Sequence, residues 1–451
     1  MTFDHQGDAF HHLAECLKSL DRGFENLPEF SPRVDPEAIR TTLLETAERL
    51  RENRPYHHPL YIGQMLKPPH PVARAAYALA MCLNPNNHAL DGGLATSAME
   101  KEAVAGIARM FGLEPHLGHL CGGGTMANFE ALWVGRELRP GRAVAASAQA
   151  HYTHARLSAV LGMPFVKLPV DATGRMDAQA LEQALEVGAI GTVVVTLGTT
   201  AAGGVDPLDR VLDLRSRYDF RVHVDAAYGG YFTLADNLEP EPRGAFRRID
   251  EADSIVIDPH KHGLQPYGCG CVLFRDPAVG RFYKHDSPYT YFSSSELHLG
   301  EISLECSRAG ASAAALWATM RMLPLVPGGA FASGLESCRE AALALHRALE
   351  ANDRYAPLFP PQLDIVVWAV RAATAKDSSK RARRLFDAAE RLNLHLALAT
   401  FPRAMCEAAR PVATWDADEI VCLRACVMKP EHREWMPEIL RRLNRSEAAR
   451  D

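Results

Sequence analysis

No run of about 20 consecutive apolar residues occurs in this 451-residue chain, so no membrane-spanning helix is expected. A surplus of positive charge is also lacking. The 49 Lys and Arg stand against 55 Asp and Glu, a net charge of −6, which excludes the broad basic surface that nucleic-acid binding uses. Met1 to Asp8 carry no basic patch followed by an apolar stretch, and no secretory signal is expected. The ten cysteines have neither the spacing of a disulfide framework nor that of a zinc knuckle. Cys269 with Cys271, and Cys422 with Cys426, read as small apolar fillers. His116, His119 and Cys121 read as loop residues rather than metal ligands. This cysteine usage suits a reducing, cytoplasmic setting. Internal repeats and low-complexity tracts are missing. An apolar content of 47% leaves little room for extended disorder.

What is present divides into three parts. Residues 1–55 read as an N-terminal helical arm, with Pro36 near the start of a helix over 34–53. The run Arg54-Pro55-Tyr56-His57-His58-Pro59 then turns the chain onto its body. Residues 56–325 form the large domain. Apolar runs at 143–147, 164–168, 192–197, 222–224, 254–257 and 269–274 read as strands, with helices at 178–186 and 208–218 between them. Strands alternating with helices predict an α/β fold with a mostly parallel central sheet covered on both faces. Residues 326–451 read as a small α+β C-terminal domain, with strands at 363–370, 394–400 and 419–428 and helices at 379–392 and 433–445.

Ligands of parallel sheets gather beyond the carboxyl ends of the strands, and four features stand there or at a helix start. Gly122-Gly123-Gly124-Thr125 opens a helix, where bare backbone N–H groups suit a phosphate; a plain loop-to-helix turn has the same sequence. Asp225, in His223-Val224-Asp225-Ala226-Ala227-Tyr228, ends a buried strand. A carboxylate there needs a cationic partner such as a pyridinium nitrogen, and Ala227 leaves room for a flat ring; a helix-capping role is the alternative. Lys261, in Asp258-Pro259-His260-Lys261-His262-Gly263, follows another apolar strand, where an amine can be placed to form an imine; a solvated loop lysine is the other reading. His260 can donate to a phosphate. His151, after the strand at 143–147, can stack on a ring or serve structurally. No one of the four decides the matter alone. Their order does, together with the 36 positions between Asp225 and Lys261 (261 − 225).

With these residues in place the chain resembles the group II pyridoxal-5′-phosphate (PLP) dependent decarboxylases, a fold-type-I family that includes glutamate, aromatic-amino-acid and cysteine-sulfinate decarboxylases. The likeness runs through 123–132, 147–155, 196–207, 223–230, 254–263, Cys306-Ser307-Arg308 with Trp317, and 421–426. It implies an aspartate-aminotransferase-like fold, PLP held as a Schiff base on Lys261, and an intertwined homodimer with shared active sites. It implies further that Gly124, Thr125 and His260 hold the phosphate, with Ser307 adding a contact from the partner chain. His151 would stack on the ring, Thr200 would line the pocket, and Asp225 would pair with the ring nitrogen. Arg424 would bind the substrate carboxylate.

The activity implied is decarboxylation of an L-amino acid to its amine. In the family the returning proton comes from a loop tyrosine; here Tyr291 is favoured over Tyr289 on register. That alignment is loose, and without the donor the chemistry turns toward aldehyde formation. A PLP-dependent carbon–carbon lyase resembling sphingosine-phosphate lyase and a non-catalytic PLP-binding protein are the other readings. The lyase needs a second phosphate site that the sequence does not display, and the intact Lys261, Asp225 and His151 argue against the binding protein. His57, His58, Tyr61 and Gln64 are candidates for the specificity pocket, His58 for substrate contact, and an interface loop is the equal alternative.

Overall fold

The computed structural model describes residues 7–28, 30–284 and 303–448. The arm contains helices Gly7–Arg22 and Pro36–Leu50. Asp35 caps the second by accepting from the N–H groups of Glu37 and Ala38, and Pro36 fits the first helical position. That helix buries none of its residues against its own chain, and Ile39, Leu43, Leu44 and Leu50 stay exposed.

The body is built on seven strands: β1 (Leu117–Cys121), β2 (Ala143–Ser147), β3 (Phe165–Leu168), β4 (Ile190–Thr196), β5 (Arg221–Asp225), β6 (Ser254–Ile257) and β7 (Gly270–Phe274). They lie in the order β1-β7-β6-β5-β4-β2-β3. All neighbours are parallel except β7, which runs against both β1 and β6. Two reversals restore direction, so β1 points the same way as β6. Its carboxyl end reaches the rim where β2, β4, β5 and β6 also end. Strands buried on both faces have no reason to alternate polar with apolar. Val193, Val194, Val195, Val222, Val224, Ile255, Val256 and Ile257 are accordingly all buried.

The C-terminal part adds β8 (Tyr355–Pro357), β9 (Ile365–Val370), β10 (Ala372–Thr374), β11 (Ala397–Pro402), β12 (Val412–Thr414) and β13 (Glu419–Cys426). An antiparallel sheet β11-β13-β9-β8 packs against helices Ala330–Glu350 and Ala375–Arg391, helix His432–Ala448 packs on those two helices, and β10 pairs with β12. Its core holds Trp368, Leu385, Leu394 and Leu423.

Most expected elements are present, with shifted ends. The strands over 143–147 and 254–257 and the helix over 178–186 keep their bounds. The helix expected over 208–218 ends as α-helix at Asp213 and finishes as a 3₁₀ turn, Leu214–Ser216. The helix expected from 379 starts at Ala375, because Thr374 caps it by accepting from the Asp377 N–H. Strand β1 has no counterpart among the expected strands; its glycine and histidine obscure a pattern whose last three residues are buried.

Trp368 fills the middle of β9 and is fully buried. Replacement by Ala is expected to cost about 3–5 kcal/mol of unfolding free energy through lost burial and a residual cavity. Urea unfolding followed by tryptophan-independent circular dichroism measures it; a cost under about 1 kcal/mol, the scale of an ordinary surface change, would contradict this packing.

Candidate active site

A cleft of about 700 Å³ opens at the shared rim of β1, β2, β4, β5 and β6. The glycine turn forms one wall, His151 and Tyr152 another, and Asp225, Ala227, Asp258 and Lys261 line it from the ends of β5 and β6.

The turn is built for close approach. Gly123 has φ +145°, in the region that favours glycine, and a Cβ on Gly270 of β7 would come 2.6 Å from the Gly123 Cα. A Cβ on Gly124 would lie 2.8 Å from Asp258 Oδ2. Helix Gly124–Leu138 has no side-chain cap, so the positive end of its dipole faces the cleft. The neighbouring Gly122 N–H already attracts an anion, donating to the Glu305 carboxylate at 2.8 Å.

Asp225 ends β5, the central strand, paired with Thr196 and Val256. His154 Nε2 donates to its Oδ2 at 2.8 Å, Asn128 Nδ2 lies 3.5 Å from the same oxygen, and the Ala227 N–H donates to Oδ1 at 3.1 Å. Burial alone would raise the pKa of this carboxyl. The hydrogen bond from His154 and the charges of His154 and Lys261 outweigh it and hold Asp225 well below the usual carboxylate range. Asn128 ties the carboxylate to the turn, donating to the Gly124 carbonyl at 2.7 Å. Its Oδ1 accepts from His223 Nε2 at 2.7 Å, and Ser254 Oγ lies 2.9 Å from His223 Nδ1. His223 is fully buried, and burial pushes its pKa down to about 3, so the ring is neutral. An amide oxygen only accepts, so the ring proton sits on Nε2 and Nδ1 accepts from the Ser254 hydroxyl.

Lys261 Nζ lies 3.0 Å from Asp258 Oδ2, with 23% of the side chain exposed, while Asp258 is almost fully buried. The His151 ring tilts against Tyr152 at 4.4 Å, and its Nδ1 accepts from the Thr153 N–H. Burial first, then Lys261 and His154, lower its pKa against the opposing pull of Asp225 and Asp258. His260 has one ring nitrogen already engaged. Its Nδ1 donates to the Cys269 carbonyl at 2.8 Å. Nε2 is then a donor only in the protonated ring, which burial disfavours. The His260 ring lies over Gly123, where a Cβ would come 3.2 Å from its Cε1.

Of the expected site residues, Gly124, Thr125, His151, Thr200, Asp225, Ala227, His260 and Lys261 come together in this cleft. Arg424 stands behind it on β13, where Nη2 donates to the Thr200 carbonyl at 2.7 Å and Nη1 lies 3.4 Å from Gly63 O and Gln64 Oε1. It is buried, its Nε has no partner, and it forms no ion pair among the described residues. Ser307 lies outside the cleft within one chain; it lines a smaller neighbouring pocket and accepts from Asn86. His58 is also elsewhere, edge-on against Trp435 at 4.9 Å. Tyr289 and Tyr291 fall outside the described residues. Sequence reasoning passed over His154, Asn128 and Asp258. His154 and Asn128 each lie one helical turn along from a chosen residue, and Asp258 stands three before Lys261.

The arrangement fits PLP. A glycine-rich helix start suits the phosphate, an ionised buried carboxylate suits a protonated ring nitrogen, and a lysine suits the aldehyde. Thr196 Oγ1 and Asp258 Oδ1, both buried in the lining, have no partner among the described residues and can serve a polar ligand. The chain belongs to the pyridoxal-dependent decarboxylase family, whose conserved domain matches residues 135–370. It is similar to the L-tyrosine decarboxylase of Enterococcus faecium, 28% identical over 84% of this chain and 79% of that protein. It is also similar to the probable L-aspartate decarboxylase of Halobacterium salinarum, 32% identical over 58% of this chain and 70% of that one. A crystal structure of Oryza sativa TDC with PLP and tryptamine superposes with a TM-score of 0.76, 19% identity and 99% of both chains covered. The protein is thus a PLP-dependent carboxy-lyase that decarboxylates an amino acid.

The Asp225–His154 pair sets a pH dependence. The folded-state pKa of Asp225 is depressed, so its stabilisation is complete above the unfolded value of about 3.9 and is lost as pH falls through the lower folded value. In His154→Leu the carboxylate is left buried without its main partner, and a loss of about 3–5 kcal/mol is expected at pH 7. That gap should shrink toward pH 4, where protonation relieves the variant first. Urea unfolding at both pH values checks it, and a gap independent of pH would contradict the pairing.

Proposed function

We propose that Lys261 is the amine that holds PLP and that Asp225 keeps a proton on the ring nitrogen it faces. One observation carries this reading: Lys261 and Asp225 line one cleft with a glycine turn, and Asn128 links turn and carboxylate. The cofactor's chemistry is an aldehyde that captures the substrate's amine and an electron sink for the bond that breaks. Gly124 and Thr125 face the phosphate at the helix start. His151 and Ala227, which line the same cleft, would hold the ring. Asp258, 3.0 Å from the Lys261 Nζ, takes and returns the proton that the amine must shed to react. Arg424, buried without a carboxylate partner, receives the substrate's α-carboxylate through its remaining donors.

The working unit in this reading is a homodimer. Its support is the apolar face of helix Pro36–Leu50, which the chain itself leaves uncovered. Ser307 then reaches a phosphate across the interface, and either Tyr291 or Tyr289 supplies the final proton, with Tyr291 first on register. All ten cysteines are free, which supports a cytoplasmic setting. The cleft's remaining wall of Met126, Phe129, Tyr152 and Leu157 supports an aromatic substrate such as L-tyrosine.

Carbon dioxide release from tyrosine, aspartate and 2,4-diaminobutyrate, with PLP present, tests the substrate; no release from tyrosine would overturn the aromatic reading. Lys261→Ala is expected to abolish release, and borohydride reduction should leave no cofactor mass on the chain. Asp225→Asn should keep the covalent cofactor but lower kcat by roughly 100-fold or more, the scale of losing one preorganised charge. Cofactor still reducibly bound to the Lys261→Ala chain would overturn the assignment.

A further inference from the structure

A second cavity, about 350 Å³, lies apart from the cleft between the segment 57–74, the helix Ala330–Glu350 and residues 429–431. Its walls are largely apolar, with Pro68, Leu264, Leu323, Phe331 and Leu335, yet two lysines line it, Lys67 and Lys429. Lys429 is buried and Lys67 half-buried. Neither forms an ion pair among the described residues. Each amine has one carbonyl partner: Lys67 donates to Met428 O at 3.2 Å, and Lys429 to Tyr61 O at 2.8 Å. Two like charges share this largely apolar cavity, with Glu431 in its lining but in ion-pair contact with neither amine, and the repulsion between the lysines falls if one becomes negative.

We propose that Lys429 is a carbamylation site for CO₂, the gas this enzyme itself releases. The Nζ lone pair forms a bond to the carbon of CO₂, one C=O π pair moves onto oxygen to give a carboxylate, and the nitrogen loses one proton to water. No oxidant or reductant is needed. The carbamate N–H keeps the bond to Tyr61 O, and the new carboxylate turns the repulsion with Lys67 into an ion pair. An apolar cavity admits CO₂ more readily than bicarbonate.

The reaction requires a neutral amine. Burial first, then the charge of Lys67, bring the Lys429 pKa down to about 7, while Glu431, Cys338 and Cys426 oppose them. The other titratable groups facing the cavity are His57, His70 and Arg74 from the entering segment and His262 from the loop after β6. Burial also lowers the pKa of Lys67, His57, His70, Arg74 and His262. At Lys67 burial lowers the pKa while Cys338, Asp364 and Glu431 oppose it, and a carboxylate formed on Lys429 would add to the pull toward the cation.

The test supplies ¹³CO₂ to the purified holoenzyme, so it does not depend on the substrate or on the roles assigned in the cleft. Alkylation with a trialkyloxonium salt traps carbamates, peptide mass spectrometry places them, and ¹³C NMR follows them in solution. A trapped adduct is expected on Lys429, rising from about pH 6 to about pH 8 as the amine deprotonates. It should be absent in Lys429→Arg and roughly tenfold lower in Lys67→Met, the scale of one pKa unit of charge interaction. Retained PLP and circular dichroism establish that each variant is folded, and the wild-type peptide map stands if one is not. No adduct on Lys429 at saturating CO₂, or an equal adduct in Lys67→Met, overturns the proposal.

Discussion

A carboxylate in the middle of a seven-stranded sheet is the constraint on which the rest of this site depends. Asp225 sits on the central strand, where apolar neighbours on both faces would ordinarily drive a carboxyl to its neutral form. It stays ionised because His154 donates to it from the helix after β2 and a backbone N–H supports its other oxygen. Asn128 adds a long contact from the helix after β1. Three chain segments distant in sequence therefore converge on one charge. The energy of keeping that charge buried is recovered only when a cation faces it, which is what a protonated pyridine ring provides.

Sheet topology explains how the partners arrive together. Because β7 is antiparallel to both its neighbours, β1 ends on the same rim as β2, β5 and β6. The glycine turn thus opens beside Lys261 rather than on the far side of the molecule. Gly270 then allows β7 to pass against Gly123, and Gly124 allows Asp258 to approach the turn. Side chains at these positions would push the glycine turn away from its neighbours at the ends of β6 and β7.

The large domain was legible because fully buried strands are unbroken apolar runs and their ends carry small and polar residues. The four features at those ends were identified as a set for the same reason. What the sequence concealed was second-layer support. Asn128, His154 and His223 resemble any polar residue in a helix or strand until three-dimensional contacts show which atoms they satisfy. The tautomer of His260 is another example: the residue was visible, but only the carbonyl of Cys269 fixes where its proton sits. Strand β1 was hidden because a strand buried only toward one end, with polar and glycine residues within it, has no clear period. Ser307 was chosen by likeness to a family expected to share sites between two chains, and His58 by its place after the arm; one chain places neither in the cleft.

The same amine is given two different environments in this protein. Lys261 stands beside a carboxylate that can accept its proton and shares a cleft with the glycine turn; in the proposed function its reactivity comes from proton transfer to Asp258. Lys429 has no carboxylate partner; desolvation and a neighbouring ammonium make its neutral form accessible instead. The first environment favours an electrophile that carries its own negative charge, such as a phosphorylated aldehyde. The second suits one that is uncharged and small, because most of its wall is apolar and the neutral amine forms by desolvation. Decarboxylation supplies an electrophile of that second kind, which is why the two lysines need not compete for one partner.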